Sequence, residues 1–141
     1  MRALRPLSLA LALLVLAGCS GRKAEVLGTV TLNGEPIAEG SINFIPIEGT
    51  TGPGAGAVIR DGQYHITPDK GVTPGKNRVE IRAFRTTGRQ VRDLAGPGGG
   101  VRQERVPAFP PEYNDQSTLV REVERGKNTI NFEVQLTADR R

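Results

Sequence analysis

Apolar and polar residues alternate along several short runs of this chain, and this pattern predicts β-strands that bury one face. The run 76–84 is typical of a half-buried antiparallel strand, because its apolar positions alternate with arginine and glutamate. The run 25–32 has a similar inward face, formed by Val26, Gly28, Val30 and Leu32. The clearest inward row comes near the end of the chain and consists of Ile130, Phe132, Val134 and Leu136.

A two-residue turn is predicted directly after the first of these strands. Asn33-Gly34 favours a hairpin, because both residues tolerate the positive φ angles of a type I′ turn. The strand that returns from this hairpin is expected to cover residues 37–47. Its alternation predicts that Ile42 and Phe44 point into the core.

Further turn signals divide the rest of the chain. Asp61-Gly62 predicts a second tight turn, and Gly126 is expected to join a last pair of strands, 118–123 and 128–136. The chain contains 18 glycines and 10 prolines, which suits a fold with many turns. The pattern contains about seven short strands and no convincing helix, so we predict an all-β domain, a single antiparallel Greek-key β-sandwich over residues 25–137. Residues 138–141 would form a short tail.

One segment fits this domain poorly. Residues 85–111 are basic and contain the glycine-rich run 96–100, and they are predicted to form one long loop. Loops of that length inside a compact domain are usually functional or disordered. The segment is therefore expected to be either a mobile, solvated excursion or an electrostatic arm. The arm would contact an anionic partner through Arg85, Arg89, Arg92, Arg102 and Arg105.

The first twenty residues have a different pattern. Residues 1–5 carry two arginines and no acid, and the run 7–18 is almost wholly apolar, which is the layout of a secretory signal. This apolar run is shorter than the roughly 20 residues that a transmembrane helix needs. We therefore expect the segment 1–18 to be a signal peptide that is removed on export.

The single cysteine of the chain closes this segment. Leu16-Ala17-Gly18-Cys19 resembles the lipobox of bacterial lipoproteins. The resemblance implies cleavage before Cys19, covalent lipid on its thiol, and a lipidated tether over residues 19–24. Ser20 resembles the sorting residue of outer-membrane lipoproteins and favours the outer membrane over the inner one. A rival cleavage after Ser20 would instead release a soluble protein.

Composition gives no sign of catalysis or of nucleic-acid binding. The full chain has a formal net charge of +4, and removal of Arg2 and Arg5 with the signal peptide would leave +2, which is too small to predict a nucleic-acid partner. The only histidine, His65, is expected on the solvent side of a strand. Because no second histidine and no mature-domain cysteine accompanies it, neither a usual metal site nor an activated nucleophile is predicted. We therefore expect no enzyme activity, no cofactor and no metal.

The order of short motifs along the chain resembles a known family. These are GTVTLNGEPIAEGSINFIP, DGQYHI, TPGKNRVEIRA, PPEYND and GKNTINFEV. In this order they are similar to the carboxypeptidase regulatory-like, transthyretin-like domain, and especially to small lipoproteins of planctomycete-type bacteria. The resemblance implies a prealbumin-like β-sandwich that is usually not catalytic. The chain ends in Thr-Ala-Asp-Arg-Arg and not in the Tyr-Arg-Gly-Ser of the hydroxyisourate hydrolases, which argues against that activity.

These observations lead to one expected function and one alternative. We expect a non-enzymatic, lipid-anchored protein of the cell envelope whose β-sandwich has a structural or partner-binding role. Its partners would be the membrane, through the lipid on Cys19, and either an envelope protein or an anionic glycan or lipid. The alternative is an envelope carbohydrate-binding or adhesion module.

Overall fold

The computed structural model describes residues 23–95 and 98–136. The expected signal peptide, the lipobox with Cys19, most of the tether and the tail 138–141 lie outside the described residues. Within the described ranges the chain forms ten strands, two short 3-10 helices and no α-helix. This confirms the all-β class.

The strands follow one another closely along the chain. They are β1 (Glu25–Leu32), β2 (Glu35–Pro36), β3 (Glu39–Pro46), β4 (Ala55–Arg60), β5 (Gln63–Ile66), β6 (Gly75–Asp93), β7 (Gly100–Pro107), β8 (Val120–Val123), β9 (Lys127–Thr129) and β10 (Phe132–Val134). The 3-10 helices cover Pro68–Lys70 and Pro111–Tyr113.

The strands form one strongly curved sheet with the shape of a half-barrel. Its order is β10-β1-β5-β4-β3-β6-β7, with β2 and β9 also paired to β1 and β8 also paired to β6. Most neighbours are antiparallel. The exceptions are β9 and β10, which run parallel to β1.

The first predicted hairpin turn is confirmed, but the hairpin is short. Asn33 and Gly34 have φ angles of 52° and 86°, as the type I′ turn requires. The returning strand β2 ends at Pro36, because proline has no N–H with which to extend the ladder. The chain then crosses the sheet, and β3 pairs with β4 and β6 and not with β1.

The predicted pairing of the last two strands is wrong. β8 adds to β6, whereas β9 and β10 add to β1 on the other side of the sheet. The turn between β8 and β9 is closed by one side chain in place of a ladder. The Asn128 Oδ1 atom accepts from the N–H of Glu124 at 2.9 Å, and its Nδ2 atom donates to the Glu124 carbonyl at 2.8 Å.

The predicted inward rows meet in one core. Phe44, Tyr64 and Phe132 come from three strands, and their ring centroids are 6.3–6.4 Å apart. Aromatic pairs at this separation add to the stability that the buried area provides. The aliphatic part of the core surrounds the three rings and includes Val26, Val30, Ile42, Ile59, Ile66, Val79, Ile81 and Val134. Ile130 and Leu136, which were also predicted to point inward, are only partly buried.

The buried phenol of Tyr64 should make the domain sensitive to alkali. Burial raises the pKa of Tyr64 well above its usual value of 10.0, although the nearby Arg121 charge opposes this effect. Its hydroxyl donates to the Ile130 carbonyl at 2.7 Å. The contribution of this phenol to the free energy of unfolding should therefore be fully present below pH 10. It should decrease as the pH rises above 10, because Tyr64 then loses its proton in the unfolded state but keeps it in the folded state.

A phenolate titration of the Tyr113→Phe variant would measure this, since the chain has two tyrosines. We expect the absorbance of Tyr64 to rise only when the domain unfolds. Ionisation near pH 10 with the fold intact would contradict the burial of this hydroxyl.

The predicted long loop is wrong for most of its length. Strand β6 continues to Asp93, and its second half pairs with β7, so residues 85–93 and 100–107 form a two-stranded antiparallel segment that we call the ribbon. The two polar strands satisfy their backbone hydrogen-bonding groups by pairing with each other. They need no apolar face for this, which is why alternation of apolar residues did not reveal them. A β-bulge containing Gly88 interrupts the ladder between Thr86 and Gln90.

Candidate functional site: the ribbon

The ribbon extends beyond the rest of the sheet. The pairing of β3 with β6 ends at Gly40 and Ala83, and from Phe84 onward β6 pairs only with β7. At roughly 3.3 Å per residue, its eight or nine residues per strand reach about 25 Å. None of the described ribbon residues belongs to the buried core. The segment is therefore an extension of the domain and not a part of its packing.

The five arginines predicted from the sequence do not form a single patch. Opposite residues of an antiparallel pair share a face, and successive residues alternate. The register therefore places Arg92 and Arg105 on the outer face, which continues the exposed side of β6. Arg85 and Arg102 lie on the opposite face, and Arg89 lies in the bulge.

Carboxylates of the ribbon engage two of these arginines. The Arg89 Nη2 atom is 2.6 Å from Glu104 Oε1, and the Thr87 hydroxyl donates to the same carboxylate at 2.8 Å. The Thr87 hydrogen bond, together with the Arg89 guanidinium, holds the pKa of Glu104 below its usual range. The Arg102 Nε atom is 4.0 Å from Asp93, which is the outer limit of an ion pair.

Of the remaining three arginines, only Arg105 has a partner in the described residues. The Arg105 guanidinium lies 5.2 Å from the centroid of the Phe84 ring, a cation–π contact, and is 3.9 Å from Glu39. Across residues 23–95 and 98–136, Arg85 and Arg92 have no carboxylate within 4.0 Å. Their charges are thus available to a partner.

The tip of the ribbon also exposes apolar side chains, which sequence reasoning missed. Leu94 is 87% exposed and Val101 is 70% exposed. Together with Arg92 and Arg102, which are paired with Val101 and Val91, they form what we call the tip patch. The signal in the sequence was the position of one apolar residue on each side of the glycine-rich turn.

The N-terminal end of the domain and the ribbon lie at opposite ends of the sheet. Ala24 bridges Val72, only three residues before β6 begins at Gly75. At its other end, β1 reaches Leu32, which lines the same cleft as Phe84 at the base of the ribbon. Strands β1 and β6 therefore both run from the N-terminal end towards the ribbon.

The lysines are confined to one end of this axis, whereas arginines lie at both ends, since Arg78 and Arg121 are in the paired part of β6 and β8 near the N-terminal end. All four lysines of the chain, Lys23, Lys70, Lys76 and Lys127, lie at or next to the N-terminal end, whereas the ribbon contains only arginine. Lys76 donates to Glu48 at 2.7 Å and Lys127 lies 3.8 Å from Glu25. The common position of the four lysines is not evident from the sequence, because they are far apart along it.

A second surface holds the only histidine. His65 lies on the exposed face of β5, as predicted, and its Nε2 atom is 2.8 Å from Glu25 Oε1. It borders a shallow groove with Leu27, Val58 and Arg60. Among the residues that the structure describes, no group of three or more His, Cys, Asp or Glu side chains is placed to hold a metal ion.

Comparisons with known proteins identify no relative of this chain. No protein-family model matches it, and no curated protein and no solved structure shows significant similarity to it. Over the described ranges, the structure also has no helix with the length and apolar character that crossing a bilayer requires.

Proposed function

We propose that this chain is a non-enzymatic, lipid-anchored protein of the cell envelope, and that its β domain binds a partner through the ribbon. The ribbon itself is the observation that carries this proposal. Two strands project from the packed body, bury nothing in its core, and present arginine and apolar side chains to solvent. Such a segment serves recognition better than it serves stability.

The proposed anchor rests on the resemblance at Leu16-Ala17-Gly18-Cys19. Residues 1–18 would be removed, and residues 19–24 would tie the domain to lipid, preferentially in the outer membrane. The folded domain starts close to this site, because Ala24 is already fully buried and bridged to Val72. A tether this short would keep the domain at the membrane surface.

The same proposal includes the finer fold, a Greek-key sandwich of the transthyretin-like type. Its support is the crossing between β8 and β9, which carries the chain from β6 to β1 on the other side of the sheet. The curved sheet thereby surrounds one core, with Phe44, Tyr64 and Phe132 at its centre.

Metabolic labelling with a fatty acid analogue tests the anchor. We expect label on the wild-type chain and none on Cys19→Ala, because the thiol is the only acceptor of the diacylglyceryl group. Ser20→Ala is the matched control and should keep the label. Equal labelling of wild type and Cys19→Ala would refute lipidation at this residue, and a soluble, unlabelled product that starts after Ser20 would support the rival cleavage.

The alternative is a carbohydrate-binding or adhesion module. Phe109 is buried in the core and Tyr113 packs against it with ring centroids 5.9 Å apart, so these two rings form no open platform. The observation that favours the alternative is Phe84, whose ring is 55% exposed at the base of the ribbon. Glycan binding that disappears in Phe84→Ala would favour this reading.

A further inference from the structure

We infer that the tip patch of the ribbon binds an acidic protein surface, and that this partner lies on the side of the domain that faces away from the membrane anchor. The chemical class of the partner follows from the ribbon alone. The direction rests on the proposed function, because it requires the lipid on Cys19.

The direction follows from the course of β1 and β6. Strand β1 spans the body from the N-terminal end to the base of the ribbon, which is about 25 Å, and the ribbon adds about 25 Å more. The five residues 19–23 can reach at most about 17 Å from Ala24. An anchor at Cys19 therefore holds the N-terminal end at the bilayer, with the tip patch at the opposite end of the molecule.

The arginines of the ribbon are suited to bind carboxylates. A guanidinium binds a carboxylate through two parallel hydrogen bonds, and arginine is enriched at protein interfaces whereas lysine is depleted there. Lipid headgroups attract lysine and arginine alike. The headgroups of the anchoring membrane would lie at the other end of the domain, next to the lysines, and so out of reach of the arginines of the ribbon.

The exposed apolar residues point to a protein and not to an acidic glycan. Val101 lies directly across the ladder from Arg92 on the outer face, Arg102 follows Val101 on the opposite face, and Leu94 comes just after the end of β6, so exposed apolar side chains at the tip are bordered by an arginine on each face. This is the arrangement of a protein interface, in which buried apolar contacts are surrounded by polar ones. A sulfated or uronic-acid polymer offers charge but little apolar surface to match these apolar side chains. In the described residues β7 pairs only with β6, so its other edge also has backbone groups to which an extended acidic segment can add as a strand.

The chain has no tryptophan, which makes a direct test possible. Leu94→Trp places a single fluorophore in the tip patch, and Val58→Trp places one on the exposed face of β4 as the matched control. Both full-length chains are expressed and purified in the form that the cell produces. They are then titrated at low salt with three probes: a random copolymer of glutamate and tyrosine, phosphatidylcholine vesicles that contain phosphatidylglycerol, and heparin.

We expect the copolymer to change the tryptophan emission of the Leu94→Trp chain in a saturable and salt-sensitive manner, with no comparable change for the Val58→Trp chain. Adding Arg92→Ser and Arg102→Ser to the Leu94→Trp chain should weaken this binding about tenfold or more. The control removes the same charge from the N-terminal end, through Lys70→Ser and Lys127→Ser. Its affinity should stay close to that of the Leu94→Trp chain.

Each other outcome overturns the inference. A response of the Leu94→Trp chain to the vesicles alone would make the ribbon a membrane-contacting arm, and a response to heparin alone would make its partner an anionic glycan. If the emission were unchanged with all three probes, or if the lysine control lost as much affinity as the arginine variant, the tip patch would not be a specific binding site.

Labelling of Cys19 is measured separately on the same Leu94→Trp chain, so that the anchor and the partner can fail independently. If the chain is labelled but its emission does not change, the lipid anchor is supported and the proposed partner is refuted. If the chain is unlabelled but responds to the copolymer, the acidic partner is supported, and the proposal that it lies on the side away from the membrane is refuted.

Discussion

Replacing Phe132 with alanine is expected to lower the free energy of unfolding by about 3–5 kcal/mol. The Phe132 ring is almost completely buried, lies 6.4 Å from the rings of Phe44 and Tyr64, and carries the Arg121 guanidinium at 5.0 Å on its face. The substitution removes the contacts between three strands and leaves a cavity at the point where β10 joins the core. Denaturant unfolding of the purified domain measures the effect, which would be a large part of the stability of a domain of this size.

The matched control for this prediction is His65→Ala. Its side chain lies on the exposed face of β5 and contacts Glu25 at the surface, so the change should stay within about 0.5 kcal/mol. If His65→Ala unfolded the domain while Phe132→Ala did not, the inward and outward faces of these strands would be wrongly assigned.

Gly28→Ala is expected to destabilise the domain by about 1–3 kcal/mol, although it adds only one methyl group. A Cβ atom on Gly28 would lie 1.9 Å from the Ile130 carbonyl oxygen, which is far inside van der Waals contact. That carbonyl accepts from the Tyr64 hydroxyl, and the Ile130 N–H donates to the carbonyl of Leu27 at 2.9 Å. The backbone at Ile130 would have to move away from β1, and both hydrogen bonds would lengthen or break.

Gly100→Ala provides the control for that change. Gly100 begins β7 in the ribbon, and apart from its own atoms and its two chain neighbours, no atom of the described residues lies within 4 Å of the position that its Cβ would take. We expect the two variants to be clearly separated in thermal unfolding, with Gly100→Ala close to wild type. Equal stability of both variants would mean that the chain at Ile130 does not cross Gly28 as closely as described.

The features that sequence reasoning predicted correctly are those that depend on a few neighbouring residues. The alternation of apolar and polar residues correctly identified the inward side chains of β1, β3 and β6, because burial on one face of a strand repeats every two residues. Asn33-Gly34 and Asp61-Gly62 form the predicted turns, with positive φ angles at all four residues. Positive φ is a local requirement, so the residue type reveals it directly.

The structure of the ribbon could be predicted only in part from the sequence. Its basic and glycine-rich composition was visible in the sequence, and its five basic residues are the arginines that the sequence predicted as contacts to an anionic partner. Their distribution over two faces depends on the register between β6 and β7 and on the bulge at Gly88. The same register brings Arg89 to Glu104 and leaves Arg92 without a carboxylate partner in the described part of the chain. Charge in a sequence does not say which charges are already compensated in the fold.

By itself, the sequence determined that this chain folds as strands, where its tight turns lie, and which side of β1, β3 and β6 faces the core. Each of these follows from local backbone preferences and from the two-residue period of a strand. Only the tertiary structure decided which strands pair, so that β8 joins β6, β9 and β10 run parallel to β1, and the ribbon stands at the end opposite Ala24. Pairing depends on contacts between residues far apart in sequence, and these are selected by how the whole sheet closes around its core.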